Sequence, residues 1–194
     1  MMQSLVRRAG RIATMSIATA LLLGTAAAYA QKVKLATSAG DIVIELDAAK
    51  APKTVENFVT YVKAGRYNGT VFHRVIPTFM IQGGGMTADM KEKTTRAPIA
   101  LESKNGLSNV RGSVAMARTG DPNSATAQFF INVKDNPRLD AANAPDGNGY
   151  TVFGKVVSGM DVVDKIRNVP TGSKGPYDDV PNTPITINKA TLEK

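Results

Sequence analysis

Cysteine and tryptophan do not occur in the 194 residues, and His73 is the single histidine. The missing thiols exclude disulfide staples and thiolate metal sites. One imidazole cannot build a multi-histidine centre, so neither a metal nor a cofactor is expected. A concentrated block of one charge is also missing. Lys and Arg outnumber Asp and Glu by 24 to 16, but the basic residues are scattered among acids. A nucleic-acid partner would need a clustered basic stripe, so none is expected. Long apolar runs are equally scarce. The single candidate, Ile12–Leu23, is too short to span a bilayer comfortably.

That run sits in a leader. Arg7, Arg8 and Arg11 precede it, and Ala28-Tyr29-Ala30 follows with the small-x-small pattern of a signal-peptidase site. Residues 1–30 are therefore read as a cleaved secretory signal, with a retained membrane anchor as the alternative. Removing the three leader arginines takes the formal net charge from +8 to +5, a modest value for a solvated surface. Residues 31–194 are enough for one domain with a sizeable core.

From Lys32 the pattern has period two. Val33, Leu35 and Thr37 alternate with Lys34 and Ala36. Ser38-Ala39-Gly40-Asp41 makes a turn, and Ile42, Ile44 and Leu46 resume the alternation. Between Ala51 and Ala64 the period changes. Val55, Phe58, Val59 and Val62 form one helical stripe, with Pro52 suited to the first turn and Gly65 to the end. Strand-like runs then recur at Thr70–Ile76, Phe79–Gln82, Ala97–Leu101, Ser113–Ala117, Gln128–Val133, Thr151–Val157 and Thr183–Leu192. A second helix is predicted over Gly159–Asn168, with Ser158 as N-cap and Val169-Pro170 as its stop. Many short strands and few helices imply an antiparallel barrel or sandwich. Arg118–Thr126 and Asp135–Gly149 read as long polar loops of the kind that carry function.

One stretch stands apart, Phe72-His73-Arg74-Val75-Ile76-Pro77-Thr78-Phe79-Met80-Ile81-Gln82-Gly83-Gly84-Gly85. Arg74, Phe79, Met80 and Gln82 are too varied chemically for simple core packing. Together they offer one cation, an apolar floor and an amide handle. Residue by residue, plainer readings stay open. Phe79, Phe130 and Leu139 could be core, Met80 filler, Arg74 an ion-pair partner, and Gln82 and Gln128 satisfiers of buried backbone.

Phe72-His73-Arg74-Val75-Ile76-Pro77 with Phe79-Met80-Ile81-Gln82-Gly83-Gly84 resembles the signature of the cyclophilins, the peptidyl-prolyl cis–trans isomerases. Gly112–Ala117 with Ala127–Ile131, Val152-Phe153-Gly154-Lys155-Val156, and the helix from Ala51 to Phe58 resemble the family as well. With the leader, the chain is most similar to exported bacterial cyclophilins of the periplasm. The resemblance implies a mainly β fold, a closed eight-stranded antiparallel β-barrel capped by two helices, over residues 31–194. It implies catalysis of X–Pro isomerisation that assists the folding of exported proteins, with proline-containing polypeptides as substrates. The protein would act as a monomer, free of the membrane once the leader is removed. The alternative is a module that holds proline-containing segments as a chaperone, with turnover incidental.

Arg74 is expected to donate to the prolyl nitrogen. Gln82 is expected to bind substrate backbone and orient Arg74. By the resemblance, Phe79, Met80, Phe130 and Leu139 seat the proline ring, Gln128 lines the adjoining groove, and the backbone of Arg118 binds the residue before proline. His73 counts as groove-lining, since the reaction abstracts no proton. Tyr150 stands where the family usually has a histidine, and is expected to contact substrate. Arg138 falls where eukaryotic cyclophilins often place a tryptophan that helps bind cyclosporin, so cyclosporin binding is expected to be weak.

Overall fold

A computed structural model describes residues 31–193; the expected leader, residues 1–30, lies outside the described residues. Ten strands and two α-helices follow in order: β1 (Lys32–Thr37), β2 (Gly40–Leu46), α1 (Pro52–Lys63), β3 (Thr70–Ile76), β4 (Met80–Thr87), β5 (Ser113–Met116), β6 (Phe129–Asn132), β7 (Val152–Ser158), α2 (Met160–Arg167), β8 (Thr171–Lys174), β9 (Tyr177–Pro181) and β10 (Thr186–Glu193). Eight strands close a barrel in the order β1-β10-β3-β4-β6-β5-β7-β2, every pair antiparallel. Closure removes the exposed edges that a sandwich would leave. Strands β8 and β9 form a separate hairpin.

Alternation sorts the side chains onto two faces. Val33, Leu35, Ile42, Ile44, Phe72, Ile81, Phe129 and Phe153 fill the interior. Helix α1 adds its stripe of Val55, Phe58, Val59 and Val62 to the same core. The Phe58 ring meets Tyr67, Phe129 and Phe153 at centroid separations of 5.0–5.5 Å. Val162, Val163 and Ile166 of α2 join that core too. Both helices thus close the barrel with the faces their periodicity marks.

The start of α1 has no side-chain cap of its own. Its free amides are met from afar by Glu102, which accepts from Lys53 N at 3.1 Å, Thr54 N at 2.9 Å and the Thr54 hydroxyl at 2.7 Å. A carboxylate there also offsets the positive end of the helix dipole.

Two expectations about local structure need correction. Ala97–Leu101 is not a strand; Pro98 cannot donate to a ladder, and only the bridge Ile99↔Ala125 forms. Ser158 does not cap α2 but ends β7. The N-cap is Gly159 at φ 88°, where a Cβ would run into the Asp41 carbonyl and meet Ile42 Cα at 3.0 Å. The hairpin β8–β9 fills a segment to which the sequence reading assigned no element.

Candidate active site

The barrel's outer wall carries a second, smaller apolar cluster. Met80, Ala115, Phe130 and Val152 are buried there, and Phe79, Leu139 and Tyr150 pack against them. Period two explains the split: Ile81 and Ile131 point inward, while Met80, Gln82 and Phe130 between and beside them point out. Gln82 faces Phe130 across the β4–β6 ladder, and Arg74 faces Gln82 across β3–β4. A groove of about 580 Å³ runs over this surface.

All ten residues singled out from the sequence line that groove: His73, Arg74, Phe79, Met80, Gln82, Arg118, Gln128, Phe130, Leu139 and Tyr150. A larger hollow of about 1000 Å³ lies elsewhere, between Leu46–Ala49 and Leu107–Val110. It lacks the convergence of arginine, paired amides and apolar floor, so the smaller groove is the candidate site.

Two consecutive residues of β3, His73 and Arg74, reach the groove. A regular strand would send them to opposite faces. The pairing slips between Phe72↔Gly83 and Arg74↔Gln82, leaving His73 as an extra residue in a β-bulge. The imidazole is 5% exposed, and burial lowers its pKa below the ordinary value, so it is neutral at neutral pH.

The amides form a pair. Gln82 Nε2 donates to Gln128 Oε1 at 2.8 Å. Among the described residues no hydrogen bond joins Gln82 to Arg74, and the amide's donor is committed to Gln128. Gly85 makes room for this pair, because a Cβ there would sit 2.6 Å from Gln128 Cγ and Cδ. Among the described residues, the charged partner of Arg74 is instead Asp179, Nε to Oδ2 at 3.8 Å.

The Arg118 side chain is committed to the loop beside the groove. Nε donates to Gly149 O at 2.9 Å, one terminal nitrogen to Thr119 O at 2.9 Å, and the other meets the Asp146 carboxylate. The guanidinium also lies 4.7 Å from the Tyr150 ring centroid, and Tyr150 stands edge-on to Phe130 at 5.6 Å. This clamp fixes the Tyr150 wall of the groove.

Leu139 is set by a buried polar network. It ends a 3-10 turn, Pro137–Leu139, and its N–H donates to Asn136 O at 2.9 Å. Asn136 Nδ2 donates to Phe79 O at 2.9 Å and to Asn132 Oδ1 at 2.7 Å. Asn132 Nδ2 reaches Asn109 Oδ1 and Ser113 Oγ, and Asn109 donates to Asp140, the residue after Leu139. The network thus ties Leu139 and Phe79, on opposite sides of the floor, to one point of the barrel.

Sequence reasoning missed one side of the groove. Pro176, Tyr177, Asp178 and Asp179 of the β8–β9 hairpin line it opposite Arg118 and Tyr150. The Gly175-Pro176 dipeptide was a legible turn signal, but the short polar β8 gave no alternation to flank it.

The barrel thus carries on its wall a groove with an apolar floor, an arginine and a pair of amides, a seat for a small apolar ring beside donors for a backbone. The family of cyclophilin type peptidyl-prolyl cis-trans isomerases matches residues 32–192, and the chain belongs to it. The sequence is 60% identical over 161 residues to a peptidyl-prolyl cis-trans isomerase of Streptomyces antibioticus, covering 82% of this chain and 97% of the relative. It is 52% identical over 183 residues to peptidyl-prolyl cis-trans isomerase A of Dickeya dadantii, covering 94% and 95%. Among solved structures, a Cryptosporidium parvum cyclophilin type isomerase determined in the presence of the dipeptide Ala-Pro superposes with a TM-score of 0.70. The identity there is 28%, covering 84% of this chain and 99% of that one.

Proposed function

We propose that the groove isomerises X–Pro bonds through Arg74, and that the protein assists the folding of exported polypeptides in the periplasm. Rotation about the C–N bond meets a barrier of about 18–20 kcal/mol because the bond is partly double. Catalysis needs no nucleophile and no proton transfer. It needs the twisted amide held better than either planar isomer. When the amide twists, the prolyl nitrogen pyramidalises and gains a lone pair. Arg74 can donate to it, since a guanidinium carries five N–H donors and no acceptor. Phe79, Met80, Phe130 and Leu139 offer the proline ring an apolar seat, with aromatic faces and a pliable thioether. The unpaired ends of the Gln82–Gln128 amides can bind substrate backbone, as can the backbone of Arg118. Neutral His73 and Tyr150 wall the groove.

The observation that carries this reading is the placement of Arg74 beside an apolar floor on one groove. The test is an isomerase assay on a proline peptide with wild type and Arg74→Ala. Loss of a donor aimed at transition-state charge lowers kcat/KM by about 10² or more. Full activity in Arg74→Ala would refute the Arg74 mechanism. Retained peptide binding without acceleration in the wild type would favour the holding module. Export rests on the leader's three arginines, apolar run and Ala28-Tyr29-Ala30. Terminal sequencing of the protein from a periplasmic fraction should begin near Gln31; an intact leader would refute cleavage.

A further inference from the structure

We propose that Asp179 is a positioning residue for Arg74, aimed at it by a bulge in β9; this rests on the isomerase reading of the groove. Three consecutive residues, Tyr177, Asp178 and Asp179, reach the groove from one strand. Regular pleating forbids that, since neighbours alternate between faces. The β8–β9 register shows how it happens. Gly172↔Val180 is followed by Lys174↔Tyr177, so two steps along β8 match three along β9. The extra residue is a bulge, a device that re-aims a side chain. Asp179 itself sits at φ 59°, a left-handed conformation uncommon outside glycine. Such an outlier persists only where its surroundings hold it. Here Lys174 Nζ donates to Ala88 O at 2.8 Å and Ser173 Oγ to Asp178 Oδ1 at 2.6 Å, fixing the hairpin on either side.

The carboxylate so aimed lies 3.8 Å from Arg74 Nε. Holding the Nε edge leaves the two terminal nitrogens of the guanidinium free for an amide in the groove. The other candidate orienter, Gln82, makes no hydrogen bond to Arg74 among the described residues. Arg74 is nearly half exposed. A long side chain with that much freedom loses time in unproductive rotamers unless something restrains it. An ion pair this exposed adds little to stability, so its use lies in orientation.

The experiment compares kcat and KM of the wild type, Asp179→Asn, Asp179→Gly, Arg74→Ala and the Arg74→Ala/Asp179→Asn double variant, with melting temperatures for all. Asparagine keeps the shape and tolerates the left-handed backbone; glycine relieves it. Both should lower kcat about fivefold with KM nearly unchanged and melting temperature held, the scale of one exposed ion pair. The fall in wild-type kcat with added salt should shrink in Asp179→Asn, because salt screens this pair. The losses of Arg74→Ala and Asp179→Asn should not add. Wild-type kcat in both Asp179 variants, additive losses, or a kcat loss that tracks the melting temperature would overturn the proposal. An inactive wild type would instead overturn the isomerase reading on which it rests.

Discussion

Asn132→Ala should both destabilise the fold and loosen the proline seat. Asn132 is completely buried, and its carboxamide makes three bonds: to Asn109 Oδ1 at 3.1 Å, to Ser113 Oγ at 2.9 Å, and from Asn136 Nδ2 at 2.7 Å. A buried hydrogen bond contributes about 1 kcal/mol net, and partners left unsatisfied push the loss upward, so about 3 kcal/mol is expected. Ser113 still donates to Val110 O and Asn136 to Phe79 O, which keeps the estimate from rising further. For a domain of this size about 3 kcal/mol corresponds to a fall in melting temperature of about 6–12 °C. Calorimetry and urea titration measure it. The functional consequence is separate. Asn136 fixes the Leu139 N–H through its carbonyl, so loss of its bond to Asn132 leaves its side chain held by Phe79 O alone and lets Leu139 shift. At a temperature where the variant is fully folded, KM should rise about three- to tenfold with a smaller change in kcat, since a seat displaced by a fraction of an ångström binds the ring less well. A loss below about 1 kcal/mol would show that the network is not a stabilising unit. A full stability loss with unchanged KM would refute the link from Asn132 to Leu139.

Two further predictions concern the loop between Asp135 and Gly149. The backbone N–H of Asn148, then Arg118, then the N–H of Gly149 lower the Asp146 carboxyl to about 2. A carboxyl lowered on folding stabilises the folded state above its unfolded pKa, near 4, and loses that contribution as pH falls through about 2. The acid slope of melting temperature over this window should flatten in Asp146→Asn; an identical slope would show that the Arg118 clamp does not draw on this charge. Cyclosporin should bind weakly, because an exposed arginine, Arg138, stands beside Leu139 where a tryptophan would extend the apolar surface. Competition against a proline peptide measures this, and inhibition at nanomolar cyclosporin would refute it.

What was legible in the sequence follows from which physics is local. Period two exposed the barrel strands because one face of each is buried: Val33, Leu35, Ile42 and Ile44 announce themselves without knowledge of their partners. The α1 stripe was legible for the same reason. Barrel closure was not, since periodicity cannot tell a barrel from a sandwich; the family resemblance supplied it. Ala97–Leu101 misled because its composition suits a strand while Pro98 and the absence of a pairing neighbour prevent one. The ten candidate residues converge on one groove, yet their polar partners were illegible. Nothing local in the sequence says that Gln82 bonds Gln128, forty-six positions on, or that Glu102 caps a helix forty-eight positions back.

The groove divides by how its side chains are placed. Regular alternation delivers the apolar floor, because Met80 and Phe130 need only stand opposite the inward Ile81 and Ile131. Arg74 also arrives by regular pairing, opposite the outward Gln82, while departures from that pairing add His73 and Asp179. His73 and Arg74 share a face through a bulge in β3, and Asp179 reaches Arg74 through a bulge in β9. A sheet face built by alternation alone presents every second residue, so consecutive residues such as His73 and Arg74 cannot share it. Bulges compress that spacing locally at the cost of ladder hydrogen bonds, and the closed barrel with its single aromatic core is rigid enough to hold them. The same logic explains why the sequence pattern did not reveal the hairpin, while the family resemblance supplied the floor. A bulge breaks the very period by which a strand is recognised, so the segment that aims Asp179 reads as loop until its pairing with β8 is seen.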